Sequence, residues 1–112
     1  MKTKKLPPTH PGEILLKDFL EPLGLSQCAL AKAIGVTPIR INQIVRGERA
    51  ITADTALRLS RYFETRPAWW LDLQTHCDLE IAADESEEDL ARTIQRCPLL
   101  PEAVAGSRTV SD

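Results

Sequence analysis

The sequence predicts an all-α protein of five helices, followed by a short C-terminal helix and a tail. Apolar side chains recur at intervals of three and four residues in successive segments, as they do along one face of an α-helix. Hydroxyl-bearing residues, prolines and glycines separate these segments and mark the helix ends. No segment alternates clearly between apolar and polar residues, although residues 79–82 are apolar enough for a strand. The 112 residues suit a single domain with one modest core.

The first helix is indicated by signals at both of its ends. Thr9 or His10 can cap it, and Pro11 then lies in the first turn, where the missing N–H carries no penalty. Pro22 and Gly24 close the helix. Between these ends, apolar residues recur at helical spacing: Ile14, Leu15, Phe19 and Leu20.

The second and third helices have the same punctuation. Ser26 is a favourable N-cap for the second helix, and Gly35 can end it in the left-handed conformation. Thr37 and Pro38 repeat the pattern of a cap followed by proline. They predict a third helix, which stops at Gly47.

A loop over residues 48–51 leads to the last two helices of the domain. Thr52 is placed to cap a fourth helix, and Thr65 is placed to cap a fifth helix with Pro67 in its first turn. The apolar residues of these two helices are Ala56, Leu57, Leu59, Phe63, Ala68, Trp69, Leu71 and Leu73.

The charges are unevenly distributed, although the formal net charge is only −2. Residues 26–66 carry seven basic and three acidic side chains, whereas residues 72–112 carry three basic and ten acidic side chains. The affinity for phosphates depends on the charge of the surface that faces them. The basic middle segment can therefore bind nucleic acid while the acidic end stays clear of it.

These changes in composition divide the chain into three parts. Residues 1–8 are basic and contain prolines, and we expect them to form a flexible arm. Residues 9–83 hold the five helices. Residues 84–112 begin with an acidic run and form a C-terminal extension that we expect to be partly disordered, with one short helix over residues 90–97.

Twenty residues that begin at Gln27 fit a helix-turn-helix motif. The fifth position must be small because the two helices cross there, and it is Ala31. The ninth lies in the turn, where a positive φ is favoured, and it is Gly35. Five further positions must be apolar to join the helices, and they are Leu30, Ile34, Val36, Ile41 and Ile44. Because all of these constraints are met together, the motif is a specific signal.

The motif also predicts which side chains face outward. With Ile41 and Ile44 turned toward the second helix, the other side of the third helix carries Arg, Asn and Gln, whose side chains suit base edges in the major groove. We expect Arg40 and Gln43 to make the leading base contacts. The candidate DNA-binding residues are Gln27, Thr37, Pro38, Ile39, Arg40, Asn42, Gln43, Arg46 and Arg49.

Several of these candidates have alternative roles. Gln27 and Thr37 stand at helix starts, where they can contact phosphates or simply cap the helix. Ile39 can touch a thymine methyl group or pack against the first helix. Arg46 and Arg49 lie on either side of the loop after the third helix and are expected to contact phosphates. The stretch 26–61 has no aromatic residue, which favours duplex DNA over RNA as the ligand.

The fifth helix carries more large apolar side chains than a domain of this size readily hides. Trp69 and Trp70 point about 100° apart on a helix. One of them can enter the core while the other meets a second copy, or both can lie within one protomer. The candidate dimerisation residues are Trp69, Trp70, Leu71 and Leu73. In a two-fold dimer, the two third helices would lie about 34–36 Å apart, the distance between successive major grooves.

Other functional classes lack their usual signals. Cys28, Cys77 and Cys97 form no CxxC pair, so we expect neither a disulfide framework nor a metal site, but reduced and partly buried thiols. The sequence contains no glycine-rich phosphate loop and no recognisable nucleophile or metal constellation, and we expect no enzymatic activity and no cofactor. No apolar run approaches the ~20 residues of a membrane span, and no secretory signal is recognised, so we expect a cytoplasmic protein.

Five short segments resemble a known family. They are HPGE at 10–13, GVTP at 35–38, INQIVRG at 41–47, ITADTALRL at 51–59 and WLDLQ at 70–74. Over residues 9–82 the chain resembles the lambda-repressor-like (Xre) helix-turn-helix class, and within it the HigA/VapI family of antitoxins of plasmid-maintenance modules. The resemblance carries no assignment beyond residue 84.

The resemblance implies a five-helix DNA-binding domain that acts as a homodimer. It also implies a partner, a HigB-like toxin of the RelE superfamily that cleaves messenger RNA. Antitoxins of this family repress their own operon by binding a palindromic operator. Solitary relatives serve as plain repressors, and this alternative stays open.

Overall fold

The computed structural model describes residues 9–101, and the regular structure of these residues is entirely helical. The all-α prediction with five helices is therefore confirmed. No helix within residues 9–101 is both long enough and apolar enough to cross a bilayer. The helices are α1 (residues 11–23), α2 (Gln27–Ile34), α3 (Pro38–Val45), α4 (Ala53–Phe63) and α5 (Pro67–Thr93).

Helix α1 is irregular in its middle. It begins as an α-helix at Pro11–Ile14, widens to a π-helix at Leu15–Leu20 and returns to α-helical geometry at Glu21–Leu23. Of the two candidate caps, His10 is the N-cap, and its Nδ1 atom accepts a hydrogen bond of 2.9 Å from the backbone N–H of Gly12.

The next three helices begin where their hydroxyl caps predict. Ser26 Oγ accepts from the N–H of Ala29 at 3.0 Å. In the same way, Thr37 accepts from Arg40 N–H at 3.1 Å, and Thr52 accepts from Thr55 N–H at 3.4 Å. These side chains satisfy helix-start donors that have no partner within the helix.

The predicted cap of the fifth helix is wrong. Helix α5 begins at Pro67, and the hydroxyl of Thr65 instead accepts a hydrogen bond of 2.8 Å from the indole N–H of Trp70. The reason is that Trp70 is fully buried, and a buried indole N–H needs an acceptor.

One apolar core joins the helices up to the first half of α5. Its fully buried members come from every helix and include Leu15, Leu30, Ala31, Ile41, Ile44, Ala56, Leu59 and Trp70. Phe19 lies against Phe63 and Trp70, with ring centroids 4.7 and 5.3 Å apart. This core fixes α3, since Ile41 and Ile44 are both part of it.

The separate C-terminal helix predicted for residues 90–97 is not formed. Helix α5 continues through the acidic run to Thr93, and residues 94–97 are not helical. No proline or glycine interrupts the chain between Pro67 and Pro98, and the glutamates of the run are good helix formers, so nothing ends the helix earlier.

Within the described part of the chain, contacts define two compact units. The residues up to Ile81 form the first unit, and those from Ala82 onward form the second. The predicted arm at 1–8 and the end of the predicted tail at 102–112 lie outside the described residues.

Candidate nucleic-acid interface

The helix-turn-helix is built as its sequence predicts. Gly35 adopts φ = 77° after α2, and its N–H donates to the carbonyl of Ala31 at 2.9 Å. Ala31, Ile41 and Ile44 are fully buried where α2 and α3 meet. Helix α3 is therefore held by one face, and its opposite face is available to a ligand.

The exposed face of α3 carries the predicted base-contacting residues. Thr37 and Pro38 are exposed at its start, and Asn42 is exposed further along. Arg40 and Gln43 are partly exposed, and the side chain of Arg40 keeps 32% of its accessible surface. Neither leading candidate is enclosed within the protomer.

The two roles considered for Ile39 are separated by its exposure. The residue is 69% exposed and is not part of the core. The second role, packing against α1, would bury the side chain of Ile39. An exposed Ile beside polar side chains fits contact with an apolar group of a ligand such as a thymine methyl.

Hydrogen bonds pre-order the polar side chains around α3. Asn42 Nδ2 donates to Oε1 of Gln27 at 3.1 Å, which links the middle of α3 to the first residue of α2. Nε of Arg49 donates to Oε1 of Gln43 at 2.9 Å. These pairs hold candidate residues of α2, α3 and the following loop in one surface.

Two residues that lie beside this surface, Asp54 and Arg58, are not among the candidates predicted from the sequence. Oδ2 of Asp54 lies 3.4 Å from Nη1 of Arg40 and accepts a hydrogen bond of 2.9 Å from Nε of Arg58. Asp54 and Arg58 lie on α4, and their spacing of four residues is a signal for a helix ion pair. The contact with Arg40 spans fourteen residues and has no comparable signal.

The loop after α3 contributes two exposed arginines. Arg46 ends the helix and forms an ion pair of 3.3 Å with Glu48. Arg49 is exposed and bound to Gln43. Arg49 therefore lies against the outer face of α3, and both arginines are exposed, as the predicted phosphate contacts require.

The predicted dimerisation residues are placed differently from one another. Trp70 is fully buried in the protomer core, so it cannot itself contact a second copy, and its assignment as a dimerisation residue is wrong. Trp69 is 39% exposed, with its ring 4.9 Å from that of Trp70. Leu71 and Leu73 are partly buried against the core.

The cysteines are free, but only one of them is buried. Cys28 and Cys97 are exposed, which corrects the expectation of partly buried thiols. Burial of Cys77, together with the nearby carboxylates of Asp78 and Glu80, raises the pKa of its thiol. Residues 9–101 contain no group of three His, Cys, Asp or Glu side chains that could hold a metal ion.

Helices α2 and α3 are short and are joined by a turn at Gly35, and α3 presents a polar, exposed face. This arrangement is a helix-turn-helix. In proteins of this class the second helix of the motif enters the major groove, and its outer side chains reach base edges. The family model described as Helix-turn-helix matches residues 16–70, which include all of α2, α3 and α4.

Comparison with known proteins identifies the family within the helix-turn-helix class. Virulence-associated protein I of Dichelobacter nodosus is 54% identical over 83 residues, which cover 74% of this chain and 77% of that protein. An uncharacterised HTH-type transcriptional regulator of Haemophilus influenzae is 43% identical over 70% of this chain and 72% of its own length. Antitoxin HigA of Pseudomonas aeruginosa, solved with the higBA promoter, has 42% sequence identity to this chain and superposes on it with a TM-score of 0.78. The superposition covers 83% of this chain and 99% of that chain. The chain belongs to the HigA/VapI family of the lambda-repressor-like (Xre) helix-turn-helix class.

Proposed function

We propose that this protein is a sequence-specific DNA-binding antitoxin that acts as a homodimer and represses its own operon. The observation that carries the proposal is the exposed polar face of α3, held in place by the burial of Ile41 and Ile44. A related antitoxin of the same fold has been solved with its promoter, which supports DNA as the ligand.

The side chains divide into two groups by their expected contacts. Arg40 and Gln43 contact base edges, since guanidinium and amide groups match the donor and acceptor pattern of the major groove. Four other polar candidates contact phosphates and fix the register of α3 on the duplex. These phosphate-contacting residues are Gln27, Thr37, Arg46 and Arg49.

The dimer is proposed to form through α5. Trp69 keeps part of its ring exposed beside Trp70 and Phe19, with centroid distances of 4.9 and 6.0 Å. A partly exposed tryptophan on a rigid aromatic cluster is a favourable anchor for an interface. A palindromic operator would then match the two-fold symmetry of the protein.

The second partner is proposed to be a HigB-like toxin of the RelE superfamily. This assignment is supported by family membership and by the relative named antitoxin HigA. The acidic stretch of residues 84–89 offers a surface of opposite charge to a basic protein.

Arg40→Ala tests the separation of these two roles. We expect it to weaken operator binding by about tenfold or more, because a good base contact is worth about 1–3 kcal/mol. Toxin neutralisation should stay intact. Arg92→Ala is the matched control, since Arg92 is an exposed arginine that pairs with Asp89 at 2.8 Å, outside α3. Operator binding unchanged by Arg40→Ala would contradict the proposed site, and loss of neutralisation in folded protein would contradict the separation of roles.

A stand-alone repressor is the second candidate. It is supported by the relative that is named only as a transcriptional regulator. Co-expression with the adjacent reading frame, followed by co-purification, separates the two. A stable complex favours the antitoxin, and the absence of any complex favours the stand-alone repressor.

A further inference from the structure

Asp54 connects the leading base-contacting candidate to the end of α2. Its Oδ2 atom lies 3.4 Å from Nη1 of Arg40 and accepts a hydrogen bond of 2.9 Å from Nε of Arg58. Asp54 lies in the first turn of α4, and its side chain is 58% exposed. One carboxylate oxygen is therefore shared between two arginines of different helices.

Arg58 fixes the position of that carboxylate. Its Nη1 atom donates to the backbone carbonyls of Ile34 and Gly35 at 2.8 and 3.3 Å. These carbonyls end α2, where the helix dipole favours a positive charge. Because Arg58 is bonded to the main chain of the motif and to Asp54 at once, the acceptor offered to Arg40 is set by the backbone of the motif.

We propose that Asp54 is a positioning residue that sets the sequence preference of Arg40 without touching DNA. The inference rests on the proposed DNA-binding function. A guanidinium group has five N–H donors, and two of them suffice for a guanine edge, so an ion pair through Nη1 leaves others for the base. Holding this long side chain before DNA arrives lowers the entropy lost on binding.

If Asp54 acted only by repelling phosphates, its neutralisation would affect DNA binding differently from the loss of a positioning residue. A carboxylate near DNA repels phosphates of any sequence, so its neutralisation should raise specific and non-specific affinity alike. Neutralising a positioning carboxylate instead frees Arg40 and lowers the preference for the cognate sequence. The ratio of the two affinities therefore distinguishes the roles.

The test compares Asp54→Asn with Glu48→Gln in the full-length chain. Glu48 is a matched control because it also pairs with an arginine of this surface, Arg46, at 3.3 Å. Each protein is titrated with a duplex of about 30 base pairs, three turns of DNA, that the wild type selects from a random pool, and with a scrambled duplex of equal composition. We expect Asp54→Asn to lower the ratio of specific to non-specific affinity about fivefold or more, a large part of one base contact. Glu48→Gln should leave the ratio unchanged.

Two further variants keep the outcome decisive. Asp54→Ser removes the carboxylate but retains a residue suited to helix starts, and it must change the ratio in the same direction. In an Arg40→Ala background, Asp54→Asn should not lower the ratio of specific to non-specific affinity any further. An unchanged ratio in Asp54→Asn or in Asp54→Ser, or a further fall of the ratio in the Arg40→Ala, Asp54→Asn double variant, overturns the inference while the proposed function stands. If the wild type selects no preferred duplex, the proposed function and this inference fail together.

Discussion

The backbone carbonyl of Ile44 lies directly over the α-carbon of Gly12, in the space where any other residue would have a β-carbon. This contact joins the first turn of α1 to the last turn of α3. Glycine is needed at position 12 because there is no room for a side chain, and not because of a positive φ. The close contact allows the backbone of α1 to support α3, the helix that we propose contacts DNA.

Gly12→Ala should destabilise the protein strongly. The new methyl group would overlap main-chain atoms that cannot rotate away, and overpacking of this kind costs about 3 kcal/mol. Urea unfolding followed by circular dichroism measures the loss. Gly24→Ala is the comparison, since a β-carbon there meets nothing within 4 Å and only the positive φ of 63° resists it. It should cost about 1 kcal/mol, and equal losses for the two variants would contradict the close approach.

Gln74→Leu should also destabilise the fold. Oε1 of Gln74, a buried residue on α5, accepts a hydrogen bond of 2.8 Å from the N–H of Ile51, which precedes α4. The substitution leaves a buried backbone donor without its partner, which costs about 1–3 kcal/mol. Thermal and urea unfolding measure this. Asp78→Ala removes the acceptor of the other Gln74 hydrogen bond, at 2.9 Å, but Asp78 is exposed and its loss should cost less. A larger loss for Asp78→Ala would refute this ranking.

Stability should fall in mildly acidic solution because of His10. Burial lowers the pKa of this imidazole below its usual 6.5, and the carboxylate of Asp78 only partly opposes the effect. The unfolded chain therefore binds the proton more readily than the folded chain does. The contribution of His10 to the free energy of unfolding is complete above pH 6.5 and declines as the pH falls below 6.5 toward the folded-state pKa.

His10→Asn isolates this effect. Asparagine retains a side-chain acceptor suited to the N-cap but does not titrate. The difference in unfolding free energy between wild type and variant, measured by urea unfolding across this pH range, should shift against the wild type on acidification. A difference that is independent of pH would show that His10 does not titrate on unfolding.

Trp69→Gln should weaken self-association while leaving the protomer folded. The side chain is partly exposed, so its removal costs the core less than the loss of the fully buried Trp70 would. Light scattering coupled to size-exclusion chromatography measures the molar mass, and circular dichroism checks the fold. Trp70→Phe serves as the contrast, since it should reduce stability through the lost hydrogen bond to Thr65. A folded Trp69→Gln protein that remains as associated as the wild type would rule out this interface.

The parts of the fold that were predictable depend on local chemistry. Ser26, Thr37 and Thr52 cap their helices through bonds to residues three positions away, and the motif follows from the burial of Ile41 and Ile44 at fixed spacing. Such features are visible in a sequence because both partners lie within a few residues of each other.

The parts that could not be predicted depend on contacts between distant residues. Thr65 is only five residues from Trp70, but its hydroxyl accepts from that indole because Trp70 is buried against side chains of other helices, such as Phe19. The choice between the adjacent tryptophans likewise depends on what packs against each ring. Asp54 is brought to Arg40 only by the packing of α4 beside the motif. The sequence thus predicts which helix carries the site but not what holds its side chains.

If the outer face of α3 contacts specific bases, removal of one of its side chains must change the base preference at defined positions. The most direct test measures the affinity of the wild type and of Arg40→Ala for every single base-pair variant of the selected duplex, at one salt concentration. We expect Arg40→Ala to lose its discrimination at a symmetric pair of guanine positions and to keep the preferences at the others. If the two proteins show the same base preferences at every position, Arg40 contacts no base and α3 is not the reading helix that we propose.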